Sequence, residues 1–207
     1  MRDQISLIVK NCDICQRTKR NVKKYEILSP KEAESIPWDK LCVDLIGPYK
    51  IRRKGQEDLI LKAVTMMDPA TGWFEIHQYE DKKAMTIASI VEQEWFCRYP
   101  WPSQITLDRG KEFIGQDFKR MVKEDYGIKH KPITVRNPQA NAMVERIHQV
   151  LTNMMRTFEL ENKYLDATSP WKGILSAVAF AIRSTIHTTT QSTPAQLVFG
   201  RDMMMNI

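Results

Sequence analysis

Lys40-Leu41-Cys42-Val43-Asp44-Leu45-Ile46-Gly47-Pro48 is the stretch on which the fold of this chain turns. Its apolar residues alternate at a period of two, so Leu41, Val43 and Leu45 point one way and Cys42, Asp44 and Ile46 the other. With apolar residues on both sides, it predicts a buried strand, ended by Gly47-Pro48. Asp44 is the anomaly. An ionised carboxylate within an apolar strand costs several kcal/mol unless a cation or hydrogen-bond donors meet it. A structural salt bridge and a metal site both answer that need.

Working outward, two more strands follow. Asp58 to Met67 is a long apolar run, Asp68-Pro-Ala-Thr-Gly72 is a turn, and Trp73 to Tyr79 reads as the returning strand of a hairpin. Lys82 to Arg98 predicts a helix, with Met85, Ala88, Ile90, Val91, Trp95 and Phe96 on a broad apolar face, stopped at Tyr99-Pro-Trp-Pro102. Ser103 to Gly110 is a short strand running into a turn, with Asp108 at its carboxyl end, where α/β sheets usually hold ligands. Lys111 to Glu124 predicts a helix with Phe113, Ile114, Phe118, Met121 and Val122 inward. Tyr126 to His130 is a last short strand, and Lys131 to Arg136 a polar loop. Pro170 to Arg183 and Thr193 to Gly200 are helices, the first apolar on more than one side. Strands and helices in this order describe an α/β protein, a five-stranded mixed sheet flanked by helices.

Between the last strand and Pro170 lies Val135 to Phe158. Asn137 is an N-cap and Pro138 sits at the first helical position. An apolar stripe follows at helical spacing: Ala140, Met143, Val144, Ile147, Val150, Leu151, Met154, Met155 and Phe158. That stripe must face a core. Asn141, Glu145, His148, Gln149 and Thr152 form one polar surface on the other side, which reads either as a solvated face or as a functional one.

The 207 residues suffice for one good-sized domain plus an appendage, and 43% hydrophobic residues is a globular composition. No apolar run approaches the roughly 18 residues of a membrane span. Four cysteines without a secretory h-region point to reduced thiols inside a cell. The net charge of +6 is uneven: residues 1–30 hold seven Lys/Arg against three acids, and the remainder 24 against 22. The basic excess is therefore an N-terminal arm, which suits either a polyanion partner or a solvated linker. Within it, Cys12-Asp-Ile-Cys15 is half of a tetrahedral zinc site, while Cys42 and Cys97 lie in apparent core positions. Arg17-Thr-Lys-Arg20 and Lys23-Lys24 could act as an import signal, though short basic runs are common.

Asp44 on the first strand, Asp108 at the end of the fourth, and Glu145 on a covering helix are the carboxylates this architecture can bring together. Three such groups cannot all stay charged unless cations bind between them. Two Mg²⁺ (or Mn²⁺) ions roughly 3.5–4 Å apart need such a cluster, with Asp44 bridging and Asp108 and Glu145 taking one each.

These acids stand in recognisable surroundings. Pro37-Trp38-Asp39 with Val43-Asp44-Leu-Ile-Gly-Pro48, Leu107-Asp108-Arg-Gly-Lys-Glu-Phe113, Asn137-Pro-Gln-Ala-Asn141 with Glu145-Arg146, and Gln191-Ser-Thr-Pro-Ala-Gln-Leu-Val-Phe-Gly200-Arg together resemble the integrases of long-terminal-repeat retrotransposons of the Ty3/Gypsy kind, with a retroviral-type catalytic core. The acids enclose 63 and 36 residues, and the second of these resembles the last gap of the family's Asp…Asp…Glu signature. The resemblance implies an RNase H-like fold and a metal-dependent polynucleotidyl transferase and endonuclease active in DNA integration and recombination. Such an enzyme trims the 3′ ends of element DNA and joins them to target DNA. Asp44, Asp108 and Glu145 would be its catalytic and metal residues, and Gln139, Asn141, Gln149 and Thr152 would touch double-stranded DNA near the scissile phosphate. Among these, His148 is read as a solvated helix-face residue.

The resemblance also implies a homodimer or larger assembly, no membrane, and a nuclear location with a virus-like-particle stage in the cytoplasm. Cys12 and Cys15 look like the Cys half of the family's His-His-Cys-Cys zinc domain, so Zn²⁺ is expected only if the missing His pair is supplied. On this reading residues 1–25 are a remnant of that domain with a basic linker, and 26–207 the catalytic core. Asn137 stands where the family often has His, and Ala142 where it often has Gly. Ala142 favours the helix by about 1 kcal/mol over Gly and would stiffen the loop before Glu145. One rival is a captured, catalytically inactive DNA-binding or dimerisation module derived from an integrase. Another is a Holliday-junction or RNase H-type nuclease on the same fold.

Overall fold

The computed structural model describes residues 36–51, 58–107, 110–132, 148–153, 170–187 and 190–203, together with Gln4, Leu7, Ile8, Asn11 and Cys12. Five strands form one sheet: β1 (Lys40–Ile51), β2 (Leu59–Met67), β3 (Phe74–Gln78), β4 (Gln104–Leu107) and β5 (Lys129–Pro132). Their spatial order is β3-β2-β1-β4-β5. β1 pairs antiparallel with β2, and β2 with β3, as successive hairpins dictate. β1 pairs parallel with β4, and β4 with β5, because helices carry the chain across between them. The expected five-stranded mixed sheet is therefore present.

β1 is the innermost strand, and its alternation sorts two cores. Leu41 and Val43 join Val64, Met66, Ile105 and Leu107 beneath α1 (Ala84–Val91), α2 (Lys111–Ile114) and α3 (Gln116–Arg120), where Ile87, Val91, Trp95, Phe113 and Phe118 pack. Cys42 and Ile46 join Leu61, Ala63, Phe74 and Ile76 beneath α4 (148–153) and α5 (Pro170–Ser184), which supply Leu151, Trp171, Ile174, Leu175 and Val178. Asp44 shares this second face.

Several boundaries differ from the sequence reading. β1 does not end at Gly47-Pro48. Gly47 takes φ +95° in a bulge, and Tyr49 resumes pairing with Leu61. The helix expected from Lys111 to Glu124 breaks at Gly115, then widens into a π-type turn over Met121–Asp125, and α1 does the same over Glu92–Phe96. Gly115 is the point of closest approach to α1: a Cβ there would lie 2.5 Å from the Ala84 Cβ. Ile114 and Met85 are exposed as a result of where these short helices turn. β5 starts later than Tyr126, because Gly127 at φ +65° turns the chain, and it takes in Lys131 and Pro132 from the expected loop. Cys97 is exposed rather than core, since it lies just past the end of the π-type turn.

Other expectations hold. Asp68 is the turn residue: its carboxylate accepts from the Ala70 N–H, the Thr71 hydroxyl and the Trp38 N–H, which explains a fully buried Asp without any other role. α6 (Pro194–Phe199) opens on a capping box between Thr193 and Gln196. Gln4, Leu7, Ile8 and Asn11 are helical. Among the described residues no helix is long and apolar enough to cross a membrane.

Candidate active site

Asp44 stands at the centre of β1, directly across from Thr65 on β2. Its Oδ1 accepts from the Leu45 N–H at 2.8 Å, which fixes the carboxylate's rotation. Oδ2 lies 3.7 Å from His148 Nδ1 on α4, with the two side chains 20% and 18% exposed. The group is thus half-shielded, at the edge of solvent.

α4 is held over this spot by polar contacts. The Thr65 hydroxyl donates to the Asp44 carbonyl at 3.2 Å and lies 3.1 Å from His148 Nε2. One turn on, the Thr152 hydroxyl donates to the His148 carbonyl at 2.8 Å and lies 3.0 Å from the Tyr49 hydroxyl. Burial pushes the His148 imidazole down to about 4, so the ring is neutral at pH 7. The Asp44 carboxylate, too far for a hydrogen bond, does not hold a proton on it.

The phase of α4 differs from the sequence reading. Leu151 is buried, but Val150, placed on the inward stripe, is 42% exposed, and His148 and Thr152, placed on the outward polar surface, face the sheet. The solvated reading of His148 is therefore wrong. The sheet surface beneath this helix is itself polar at Asp44, Thr65 and Tyr49, so it attracts the helix's hydroxyl and imidazole groups. Gln149 is exposed, as expected of a residue open to a partner. Thr65 and Tyr49 were not singled out from sequence. The signal for Thr65 was a lone hydroxyl within the apolar run of β2, opposite the anomalous Asp44.

Asp108, Glu145, Gln139, Asn141 and Cys15 lie outside the described residues, while Cys12 lies within them. Two facts of chain continuity nevertheless bear on the acids. Leu107, the residue before Asp108, is the parallel partner of Val43, the residue before Asp44. Glu145 precedes His148 by three residues in the chain. Among the described residues no group of three His, Cys, Asp or Glu side chains is gathered for a metal.

The sheet order and flanking helices are those of the RNase H-like fold of integrase catalytic cores. The chain matches a simian T-cell lymphotropic virus intasome structure, in complex with PP2A regulatory subunit B56 gamma, at a TM-score of 0.68, over 99% of this chain and 69% of that one at 18% identity. It matches the catalytic core domain of BIV integrase at 0.59, over 77% and 93%, with 16% identity. The HTLV-2 core in complex with magnesium, in a trimeric form, matches at 0.57, over 78% and 96%, with 16% identity.

The homologues by sequence are retroelement proteins. The Pro-Pol polyprotein of feline foamy virus is 26% identical over 98% of this chain, and human Gypsy retrotransposon integrase-like protein 1 is 28% identical over 94%. The Transposon Tf2-3 polyprotein of Schizosaccharomyces pombe is 26% identical over 96%. The chain spans 16%, 35% and 14% of the length of these three relatives. No protein-family model matches it.

Proposed function

We propose that this chain is the catalytic core of a divalent-metal-dependent polynucleotidyl transferase that inserts retroelement DNA into target DNA, with Asp44, Asp108 and Glu145 as the metal-holding acids. The observation that carries this reading is the setting of Asp44: an ordered carboxylate on the innermost strand, half-shielded beneath a helix, with one oxygen fixed and the other turned toward a neutral ring. Chain continuity supports the other two acids, since Asp108 follows Leu107, the parallel partner of Val43, and Glu145 precedes His148 by three residues.

The donor set suits Mg²⁺ or Mn²⁺, which favour carboxylate oxygens. Bound there, such ions supply charge stabilisation for in-line attack on phosphorus by water in end trimming or by a 3′-hydroxyl in joining. The work of the chain's own residues is positional. The Leu45 N–H and the paired β1 backbone hold Asp44 in one orientation. A neutral His148 leaves the carboxylate's charge for the cations instead of neutralising it with an imidazolium.

Gln149 stands free to meet a DNA phosphate or base, and Gln139 and Asn141 take the same role. The Thr152 hydroxyl is engaged with Tyr49, so it acts on DNA through helix position. Residues 26–207 form this core, and Cys12 and Cys15 in residues 1–25 bind Zn²⁺ only together with a His pair. The intasome and trimeric forms of the structural relatives support assembly of several copies on double-stranded DNA, and action on chromosomal DNA implies the nucleus.

A disintegration assay on branched DNA with Mn²⁺ or Mg²⁺ tests the reading. Asp44→Asn, Asp108→Asn and Glu145→Gln each abolish product while circular dichroism reports an intact fold. Near-wild-type activity in any one of them removes that residue from the site. A folded, DNA-binding wild type without product favours the captured module.

A further inference from the structure

The bulge in β1 changes which side chains face the candidate site. Ile46 pairs with Ala63 and Tyr49 with Leu61, so β1 holds one residue more than β2 over this stretch. An extra residue reverses which positions point to which side of the sheet. Before the bulge, Leu41, Val43 and Leu45 pack on the α1 side, and Cys42 and Ile46 pack on the side of α4 and α5. After it, Tyr49 packs with Ile46, Leu61 and Ala63 beneath α4 and α5. In a regular strand Tyr49 would point the same way as Leu41 and Val43. The bulge thus brings a phenol to the face that carries Asp44.

There it meets α4. The Tyr49 hydroxyl lies 3.0 Å from the Thr152 hydroxyl, and the Thr65 hydroxyl lies 3.1 Å from His148 Nε2, four residues earlier. Residues four apart share one face of a helix, one turn from each other. Leu151 is buried on the same side, but apolar burial is non-directional and sets the helix's depth without setting its direction. Two polar contacts a turn apart set the direction, whereas one alone leaves a pivot. The pose of α4 matters because the chain enters it from Glu145, three residues before His148.

We propose that Tyr49 is a positioning residue of the candidate active site: its hydroxyl, aimed by the bulge at Gly47, holds α4 at Thr152 and so sets the approach of the Glu145 segment to Asp44. The proposal rests on the metal-dependent reading above. Its effect falls on turnover and not on DNA affinity, because a displaced acid is felt in the transition state while the contacts that hold the branched DNA remain.

Disintegration kinetics and hydrogen exchange on the full chain test it together. Tyr49→Phe keeps the ring and removes only the hydroxyl. Its kcat falls by at least about tenfold, the scale on which partners that orient metal-holding groups act. Its KM for branched DNA stays within about twofold of wild type, since no group that binds the DNA is removed. Amides of residues 148–153 exchange about fivefold faster, as the loss of one hydrogen bond predicts, and those of β1 and β4 are unchanged. Thr152→Val reproduces both effects, and Thr152→Ser recovers most of the rate. The Tyr49→Phe/Thr152→Val double variant is no slower than the slower single one, because both changes remove the same contact.

A wild-type kcat in Tyr49→Phe, a rise in KM alone, or losses that multiply in the double variant overturns the proposal. So does a slow Tyr49→Phe whose α4 amides exchange as in wild type. Asp44→Asn separates the two levels. If it abolishes product while Tyr49→Phe turns over as wild type does, only the positioning role fails. If Asp44→Asn forms product as wild type does, the metal-dependent reading fails as well.

Discussion

Two residues on β1 show what single positions do. Asp44 was legible in sequence because an acid interrupts an apolar alternation, and its surroundings were not, because Thr65 and His148 reach it from two other places in the chain. Gly47 was read as a stop and is instead a hinge within a continuing strand. The backbone there holds φ +95°, and a Cβ would sit 2.3 Å from the Leu61 carbonyl oxygen. Gly47→Ala therefore destabilises the domain by more than about 1 kcal/mol, visible as a lower urea midpoint with an unchanged slope. An unchanged midpoint would mean that β1 can straighten at this point without loss.

At the scale of elements, apolar period decided which segments are helices and strands, and local polar chemistry decided where they begin and how they are rotated. The capping box of α6 was readable from Thr193 and Gln196. The rotation of α4 was not, since an amphipathic pattern assumes that polar residues avoid the interior, and here the sheet presents polar partners. α1 shows a start signal that can be tested. Asp81, ahead of the helix, accepts from the Thr86 hydroxyl at 2.8 Å and the Lys83 N–H at 3.1 Å. The Thr86 bond first, then those from Lys83, hold its carboxyl down to about 2 from an ordinary 3.8. The unfolded chain thus takes up this proton more readily than the folded one, and the stabilisation is complete above pH about 4 and fades as the pH falls toward about 2. Melting curves of wild type and Asp81→Asn should differ at pH 6 and converge near pH 2; a difference independent of pH would place the effect elsewhere than in that carboxylate.

For the whole molecule, the sheet and its two cores followed from the strand periods, but what ties the second helical layer to the sheet did not. Arg183, at the end of α5, donates to the Phe74 carbonyl at 2.7 Å, pairs with the Glu75 carboxylate and lies 4.5 Å over the Trp73 ring. Glu75 also accepts from the Tyr99 hydroxyl, which burial first and Glu75 second push up to about 12, so it remains a donor at any ordinary pH. Sequence separations of this size hide such a network from pattern reading. Arg183→Met leaves the Glu75 charge buried without its partner, and a loss of about 3 kcal/mol in urea unfolding is expected. Much of it should return in the Arg183→Met/Glu75→Gln double variant, and strictly additive losses would show that the pair is not coupled.

The central place of β1 has a consequence for synthesis. Chains emerge amino end first, and β1, β2 and β3 can zip as a meander while the rest is still being made. Until residues 104–107 arrive, the far side of β1 has no β4 to pair with, so the aspartate rides on an open margin, one strand away from being enclosed. A nascent or clipped chain that stops short of β4 therefore carries Asp44 on a strand whose outer margin is unpaired.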